Sequence, residues 1–208
     1  MRLYFVRHGQ TKLNQEKVYF GSLDEPLNEY GRKQATDVGL ALAEVSFDSV
    51  YCSDRMRAIE TMQQILAQTK QKGHVKVMSF LPELSEIHFG CFEGLTWQEA
   101  SRQYPDVYEK WCQDWLYYEL PEGESYAAFF QRVRHAFEQI LEGSKDVDQN
   151  VLICAHNGSL RALFALLCGI EESGSWHFNF DSGTYSRVDY ECGNFTIRKI
   201  NCRDRECA

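Results

Sequence analysis

Near its two ends this chain carries the same local plan twice. Leu3-Tyr4-Phe5-Val6 runs straight into Arg7-His8-Gly9, and Val151-Leu152-Ile153-Cys154-Ala155 runs into His156-Asn157-Gly158. The apolar halves read as short buried strands. A glycine then lets the chain turn without a Cβ clash, and in the second copy an apolar helical stretch follows from Leu160 to Leu167. A third run, Phe47 to Cys52, ends in Ser53-Asp54-Arg55-Met56-Arg57. In an open parallel sheet, ligands bind at the carboxyl ends of the strands. Three such ends would deliver His8 with Arg7, Arg55 or Arg57, and His156 to one rim. That is a cationic cluster in a chain whose net charge is -8. It repels itself unless an anion fills it. Phosphate suits it, because arginine offers its oxygens a rigid fork of donors.

These residues fall into four motifs: Arg7-His8-Gly9, then Ser53-x-x-x-Arg57-Ala58-x-x-Thr61, then Leu84-Ser85-Glu86-Ile87-His88-Phe89-Gly90 followed by Glu93-Gly94, and last Ala155-His156-Asn157-Gly158-x-Leu160-Arg161. In kind and in order they resemble those of the histidine phosphatase superfamily, also called the phosphoglycerate mutase-like family. The resemblance implies a three-layer α/β sandwich. Its central sheet would be mainly parallel, with helices on both faces and an antiparallel edge strand near the C-terminus. It also implies His8 as nucleophile, Arg7, Arg57 and His156 as phosphate ligands, and Glu86 as proton donor. The partners it implies are a small phosphorylated metabolite and inorganic phosphate, with no metal and no cofactor. Asn14 and the Phe20-Gly21 loop match positions that line the family's substrate pocket. One departure is Asn157, which stands where many members have glycine directly after the second histidine. Backbone N–H groups there can still face phosphate.

A histidine that attacks phosphorus must be neutral. Arg7 and Arg57 should push the pKa of His8 below its ordinary value of about 6.5. One ring nitrogen should donate to a backbone carbonyl to fix the tautomer. A carboxylic acid beside a phosphate dianion has a raised pKa, because like charge disfavours ionisation. Such an acid can protonate the leaving alkoxide and then activate water on phosphohistidine. By the resemblance this is Glu86, four residues before Gly90, with Glu83 as its competitor. His74, His88, His135 and His177 match no catalytic motif and read as surface or packing residues.

Along the chain, residues 10–27 read as a polar loop, and Asn28 is placed to cap a helix over 29–44. Ala35, Val38, Leu42 and Val45 share its inner face. Helices are expected over 55–69, with Ile59, Met62, Ile65 and Leu66 inward, and over 125–141, with Phe129, Phe130, Val133, Phe137, Ile140 and Leu141 on one face. Val75-Lys76-Val77-Met78 alternates like a fourth strand. Strands over 184–190 and 194–200 read as a hairpin through Glu191-Cys192-Gly193. Residues 95–122 hold Trp97, Trp111 and Trp115 among tyrosines, with a helix between Pro105 and Pro121. This stretch is either an aromatic cap over a ligand or a satellite hydrophobic cluster. The length suits one domain, 1–208, with such a cap.

Hydrophobic content of 44% and charged content of 25% are those of a soluble globular chain. Excess acid argues against non-specific nucleic-acid binding. The apolar run ending at Val6 is too short for a secretory signal, and no stretch is long enough to span a bilayer. Eight cysteines without a Cys-x-x-Cys spacing point away from zinc and toward reduced thiols in a cytoplasm, with Cys202 and Cys207 least determined.

At 208 residues the chain resembles the short phosphatase branch more than the longer mutases. Tyr19-Phe20-Gly21-x-x-Asp24-x-Pro26-Leu27-Asn28-x-x-Gly31-x-x-Gln34-Ala35 resembles the α-ribazole-5′-phosphate phosphatase sub-family of cobalamin nucleotide-loop assembly. So does Trp111-x-x-x-Trp115 leading to Pro121-Glu122-Gly123-Glu124-Ser125. An aromatic cap would suit stacking on that substrate's flat base. The alternatives are a broad-specificity histidine phosphatase, a mutase-type phosphotransferase, and a non-catalytic relative that binds phosphorylated groups, since fold does not fix function.

Overall fold

In a computed structural model of the chain, which describes residues 1–70, 75–143 and 148–204, six strands join in one sheet. They are β1 (Arg2–Arg7), β2 (Ser49–Cys52), β3 (Val77–Phe80), β4 (Asn150–Ala155), β5 (Thr184–Glu191) and β6 (Asn194–Cys202). Their order across the sheet is β3-β2-β4-β1-β5-β6. The first four run parallel, while β5 is antiparallel to β1 and β6 to β5. The sheet is thus mainly parallel with an antiparallel hairpin at one edge. His74 and Cys207 lie outside the described residues.

Register decides where the site forms. Arg7 pairs with Ala155, and Cys52 with Cys154. The residues that follow, His8, Ser53 and His156, therefore leave the sheet at the same rim. Strand side chains alternate between faces, and the core divides accordingly. Leu3, Phe5, Val151 and Ile153 pack on α6 (Tyr126–Gly143) and α7 (Asn157–Leu167), against Phe129, Val133 and Phe164. Tyr4, Val6, Leu152 and Cys154 pack on α2 (Glu29–Ala41) and α3 (Met56–Gln68), against Val38, Met62 and Ile65. Three layers result. Each fully buried side chain of this kind contributes roughly 1.5–3 kcal/mol.

Several elements depart from the sequence reading. Strand β3 begins at Val77 rather than Val75, because its partner β2 begins only at Ser49, opposite Val77. Helix α2 is capped by Asn28 as expected, its Oδ1 accepting from the Gly31 amide at 2.8 Å. It stops at Ala41 rather than 44, because Ala43 and Val45 bond back to Leu40 and Leu42 in tighter turns. The polar loop after Gly9 holds a short helix, α1 (Lys12–Glu16), with no buried residue and so no periodicity to read. Between 95 and 122 there are two helices, α4 (Trp97–Gln103) and α5 (Pro105–Gln113). Pro105 opens the second at a position where its missing N–H costs nothing.

Phe92, Ala100 and Leu120 give the 95–122 region a small core of its own, ringed by Tyr19, Tyr108 and Trp111. Among the described residues, Cys52, Cys91, Cys112, Cys154, Cys168 and Cys192 carry free thiols. No helix among them is long and apolar enough to cross a membrane.

Candidate active site

His8 sits just past β1 and is 3% exposed. Its Nδ1 donates to the Gly9 carbonyl at 2.7 Å, which leaves Nε2 the bare nitrogen. The turn needs glycine. A Cβ on Gly9 would lie 2.3 Å from the Gly31 carbonyl oxygen, where the turn presses on the start of α2. Burial first, then the charges of Arg57 and Arg7, hold the imidazole well below its ordinary pKa. Sequence reasoning named only the arginines; removal from water is the larger cause.

Arg57, in the first turn of α3, is 0% exposed. It donates from Nη1 to the Leu23 carbonyl at 2.8 Å, from Nη2 to the Gly21 carbonyl at 3.0 Å and from Nε to His156 Nδ1 at 3.2 Å. Its guanidinium lies 4.8 Å over the Phe20 ring. The Phe20-Gly21 loop therefore grips Arg57. A guanidinium has five N–H groups, so two remain for an anion. Burial pulls its pKa down to about 10, and it stays charged at neutral pH. Behind the loop, the Glu93 carboxylate accepts from the backbone amides of Gly21, Ser22, Leu23 and Phe89. Sequence reasoning quoted Glu93 within a motif but gave it no task.

Arg7 donates from Nη1 to the Phe180 carbonyl, and its Nε is buried without a hydrogen-bond partner. Phe180 in turn donates its amide to Asn157 Oδ1 at 3.1 Å. That accounts for the departure from glycine, since the Asn157 amide braces the arm that holds Arg7. Asn14 accepts from the Thr11 amide and hydroxyl at 3.0 and 3.1 Å, capping α1.

His156 is fully buried, with its ring centroid 5.0 Å from that of His8. Its Nδ1 faces Arg57, and its Nε2 lies 2.8 Å from Ser53 Oγ. Burial and the same cations push its pKa well down as well.

Glu86 rests on the N-terminus of α7, where its Oε2 accepts from the Gly158 amide at 3.0 Å and its Oε1 from Ile87 at 3.1 Å. A Cβ on residue 158 would lie 2.1 Å from Oε1. Arg132 binds the carbonyls of Glu83, Ser85 and Glu86 and pairs with Glu124 at 2.6 Å, which fixes the backbone beneath the carboxylate. Of Glu83, only the carbonyl takes part in this arrangement. The charge on Glu86 acts on both Arg7 and Arg57.

Beside Glu86 opens a cavity of about 150 Å³, walled by Tyr19, Phe89, Trp111, Trp115, Tyr126 and Trp176, with Arg161 at its edge. Arg161 lies 4.5 Å over the Trp176 ring, and its Nε is buried without a hydrogen-bond partner. Sequence reasoning quoted Arg161 without a role and passed over Trp176, which lies in a stretch with no periodicity to read. Among the described residues no group of three His, Cys, Asp or Glu side chains gathers as a metal site.

The two buried histidines predict a stability change with pH. Their folded pKa values lie below the unfolded value of about 6.5. Below that pH the unfolded chain binds protons that the native state does not. Unfolding free energy therefore falls as the pH is lowered, by up to about 1.4 kcal/mol per pH unit for each histidine. Above it they contribute no slope. The midpoint of urea unfolding should drop from pH 6.5 to 5, and His8→Gln should flatten that drop by about one proton. An unchanged slope in His8→Gln would show that the native imidazole is not held neutral.

Residues 3–203 match the profile of the histidine phosphatase superfamily (branch 1). The chain is 34% identical over 203 residues to an adenosylcobalamin/alpha-ribazole phosphatase of Escherichia coli K12, a match covering 98% of this chain and 97% of that protein. It is 29% identical to phosphoserine phosphatase 1 of Hydrogenobacter thermophilus, covering 97% and 92%. Its fold aligns with the crystal structure of the alpha-ribazole phosphatase from Shigella flexneri at a TM-score of 0.88, with 34% identity and 98% of each chain covered.

Proposed function

This chain belongs to the histidine phosphatase superfamily, branch 1, and on that premise we propose that it hydrolyses α-ribazole 5′-phosphate through a phosphohistidine on His8. The Nε2 lone pair attacks phosphorus, the ester P–O bond breaks, and the leaving alkoxide takes a proton from Glu86. In the second half Glu86 takes a proton from water as the water oxygen attacks phosphorus. The P–N bond breaks, phosphate leaves, and His8 regains its lone pair. Arg7 and Arg57 hold the phosphoryl oxygens, whose charge must be stabilised throughout, and His156 supports Arg57 by accepting at Nδ1. Residues 1–208 act as one catalytic domain, with 95–122 as its cap.

The observation that carries the substrate assignment is the aromatic cavity. It opens beside Glu86, the group that must reach the leaving oxygen, so the leaving group's body occupies it. A flat base fills such walls; the small charged bodies of phosphoserine or phosphoglycerate leave them wet. The test is kcat/KM on α-ribazole 5′-phosphate, phosphoserine, 3-phosphoglycerate and p-nitrophenyl phosphate in the presence of a chelator. A clear preference for the first is expected. Equal values would make this a broad-specificity phosphatase, and no turnover would make it a binding relative. Trp176 is 56% exposed, so its removal should spare folding. Base stacking is worth about 1–3 kcal/mol per aromatic, so Trp176→Ala should raise KM for α-ribazole 5′-phosphate roughly 5- to 160-fold. The KM for p-nitrophenyl phosphate should hardly move. Equal effects on both would remove the cavity from substrate recognition.

A further inference from the structure

Behind His156 a line of hydrogen bonds leads away from the phosphate site, and counting protons fixes its direction. Asp54 Oδ1 can only accept, so Ser85 Oγ, 2.6 Å away, gives it its one proton. Ser85 Oγ is also 3.1 Å from Ser53 Oγ. Its own proton is committed, so the proton between the two hydroxyls belongs to Ser53. Ser53 Oγ, having given that proton, accepts the Arg55 amide at 3.3 Å and His156 Nε2 at 2.8 Å. The His156 proton therefore sits on Nε2, and Nδ1 is bare. Arg57 makes the same demand from the other side, because its Nε–H, 3.2 Å from Nδ1, can only donate. A carboxylate at one end and a guanidinium at the other thus require one tautomer independently. Ser53, Ser85 and His156 are buried. The Asp54 side chain is 37% exposed and lies 3.6 Å from Arg55 Nε.

We propose that Asp54 is a positioning residue that acts through Ser85 and Ser53 to hold the His156 proton on Nε2 and so aim Arg57 at the phosphate. In this role neither serine nor Asp54 need touch the substrate. With Nδ1 bare, His156 serves the site by accepting from Arg57 Nε, and its Nε2–H keeps its path to the carboxylate. If the relay is cut at Ser85, the Ser53 hydroxyl is free to donate to Nε2. The imidazole can then carry its proton on Nδ1, facing the Arg57 N–H.

The catalytic consequence rests on the phosphatase reading, but the tautomer does not, and the two are measured separately. In the full chain labelled with ¹⁵N-histidine at neutral pH, His156, assigned by its loss in His156→Gln, should show a bare Nδ1 and a protonated Nε2. Ser85→Ala should mix the tautomers. It should also lower kcat/KM on p-nitrophenyl phosphate about tenfold, the worth of one charge-assisted hydrogen bond. Ser85→Thr keeps the hydroxyl and should restore both within about threefold. Asp54→Ala, at the half-exposed end, supplies the same test if Ser85→Ala does not fold. A proton on Nδ1 in the wild type, or an unchanged tautomer in both cut variants, overturns the proposal. A wild type without phosphatase activity would instead sink the functional reading and leave the tautomer measurement standing.

Discussion

His8→Ala should reduce turnover by about 10³-fold or more, because the proposed covalent intermediate forms on its ring nitrogen. The Gly9 carbonyl holds the Nδ1 proton, so the only lone pair on the ring is at Nε2. Burial and two arginines keep that ring neutral. His156 does not substitute for it, since both of its nitrogens are engaged, by Arg57 and by Ser53. Phosphate on a histidine nitrogen is labile in acid and stable in base. A labelled substrate quenched in base during turnover should leave the label on the wild-type chain and none on His8→Ala. Circular dichroism checks that the variant still folds, and His8→Gln gives a second version with less lost volume. Near-native turnover in either variant would end the covalent mechanism.

Glu86→Gln should slow formation of the intermediate from α-ribazole 5′-phosphate by roughly 10²–10⁴-fold, the usual worth of general acid help. Glutamine keeps an oxygen for the Gly158 amide, which now bonds Oε2 at 3.0 Å, but it has no proton to give. An alkoxide is a strong base and needs that proton; p-nitrophenolate leaves without it. The first step with p-nitrophenyl phosphate should therefore slow far less. Single-turnover rates are required, because in the proposed mechanism both substrates share the later hydrolysis, to which Glu86 is also assigned. Glu83→Gln should show no such contrast, since Glu83 enters the arrangement through its carbonyl. Equal slowing of both substrates in Glu86→Gln, or selective slowing in Glu83→Gln, would move the proton to another group.

The rim was legible in the sequence because its carriers are local. An apolar run that ends in His8, Ser53 or His156 says where a strand stops, and parallel pairing brings such ends level. Helices α2, α3 and α6 were legible because their buried faces repeat over several turns. What escaped acts over long range or through the main chain. The hydrogen bonds of Glu93 go to backbone amides and those of Arg132 largely to carbonyls, so no side-chain pattern marks them. Phe20 and Gly21 matched pocket positions, but nothing local in the sequence marks their contacts with Arg57. The brace from Asn157 through Phe180 to Arg7 joins three places that only the folded chain brings together. Helix α1 is too short to show a period, and the break between α4 and α5 depends on one proline whose sign reads equally as an end or a beginning.

The position of β1 has a consequence for how the protein is made. This first strand lies between β4 and β5, pairing Arg2 with Asn150 on one side and with Asp189 on the other. A chain emerging from the ribosome can form β2, α3 and the loop that grips Arg57. The strand that carries His8 then has no sheet partner until β4, beginning at Asn150, has followed. Contacts of such wide sequence separation fold slowly, because the closure entropy is spent before the pairing rewards it. In refolding, activity should therefore return in step with the slowest phase of sheet assembly, and no truncated nascent chain that lacks β4 should carry it.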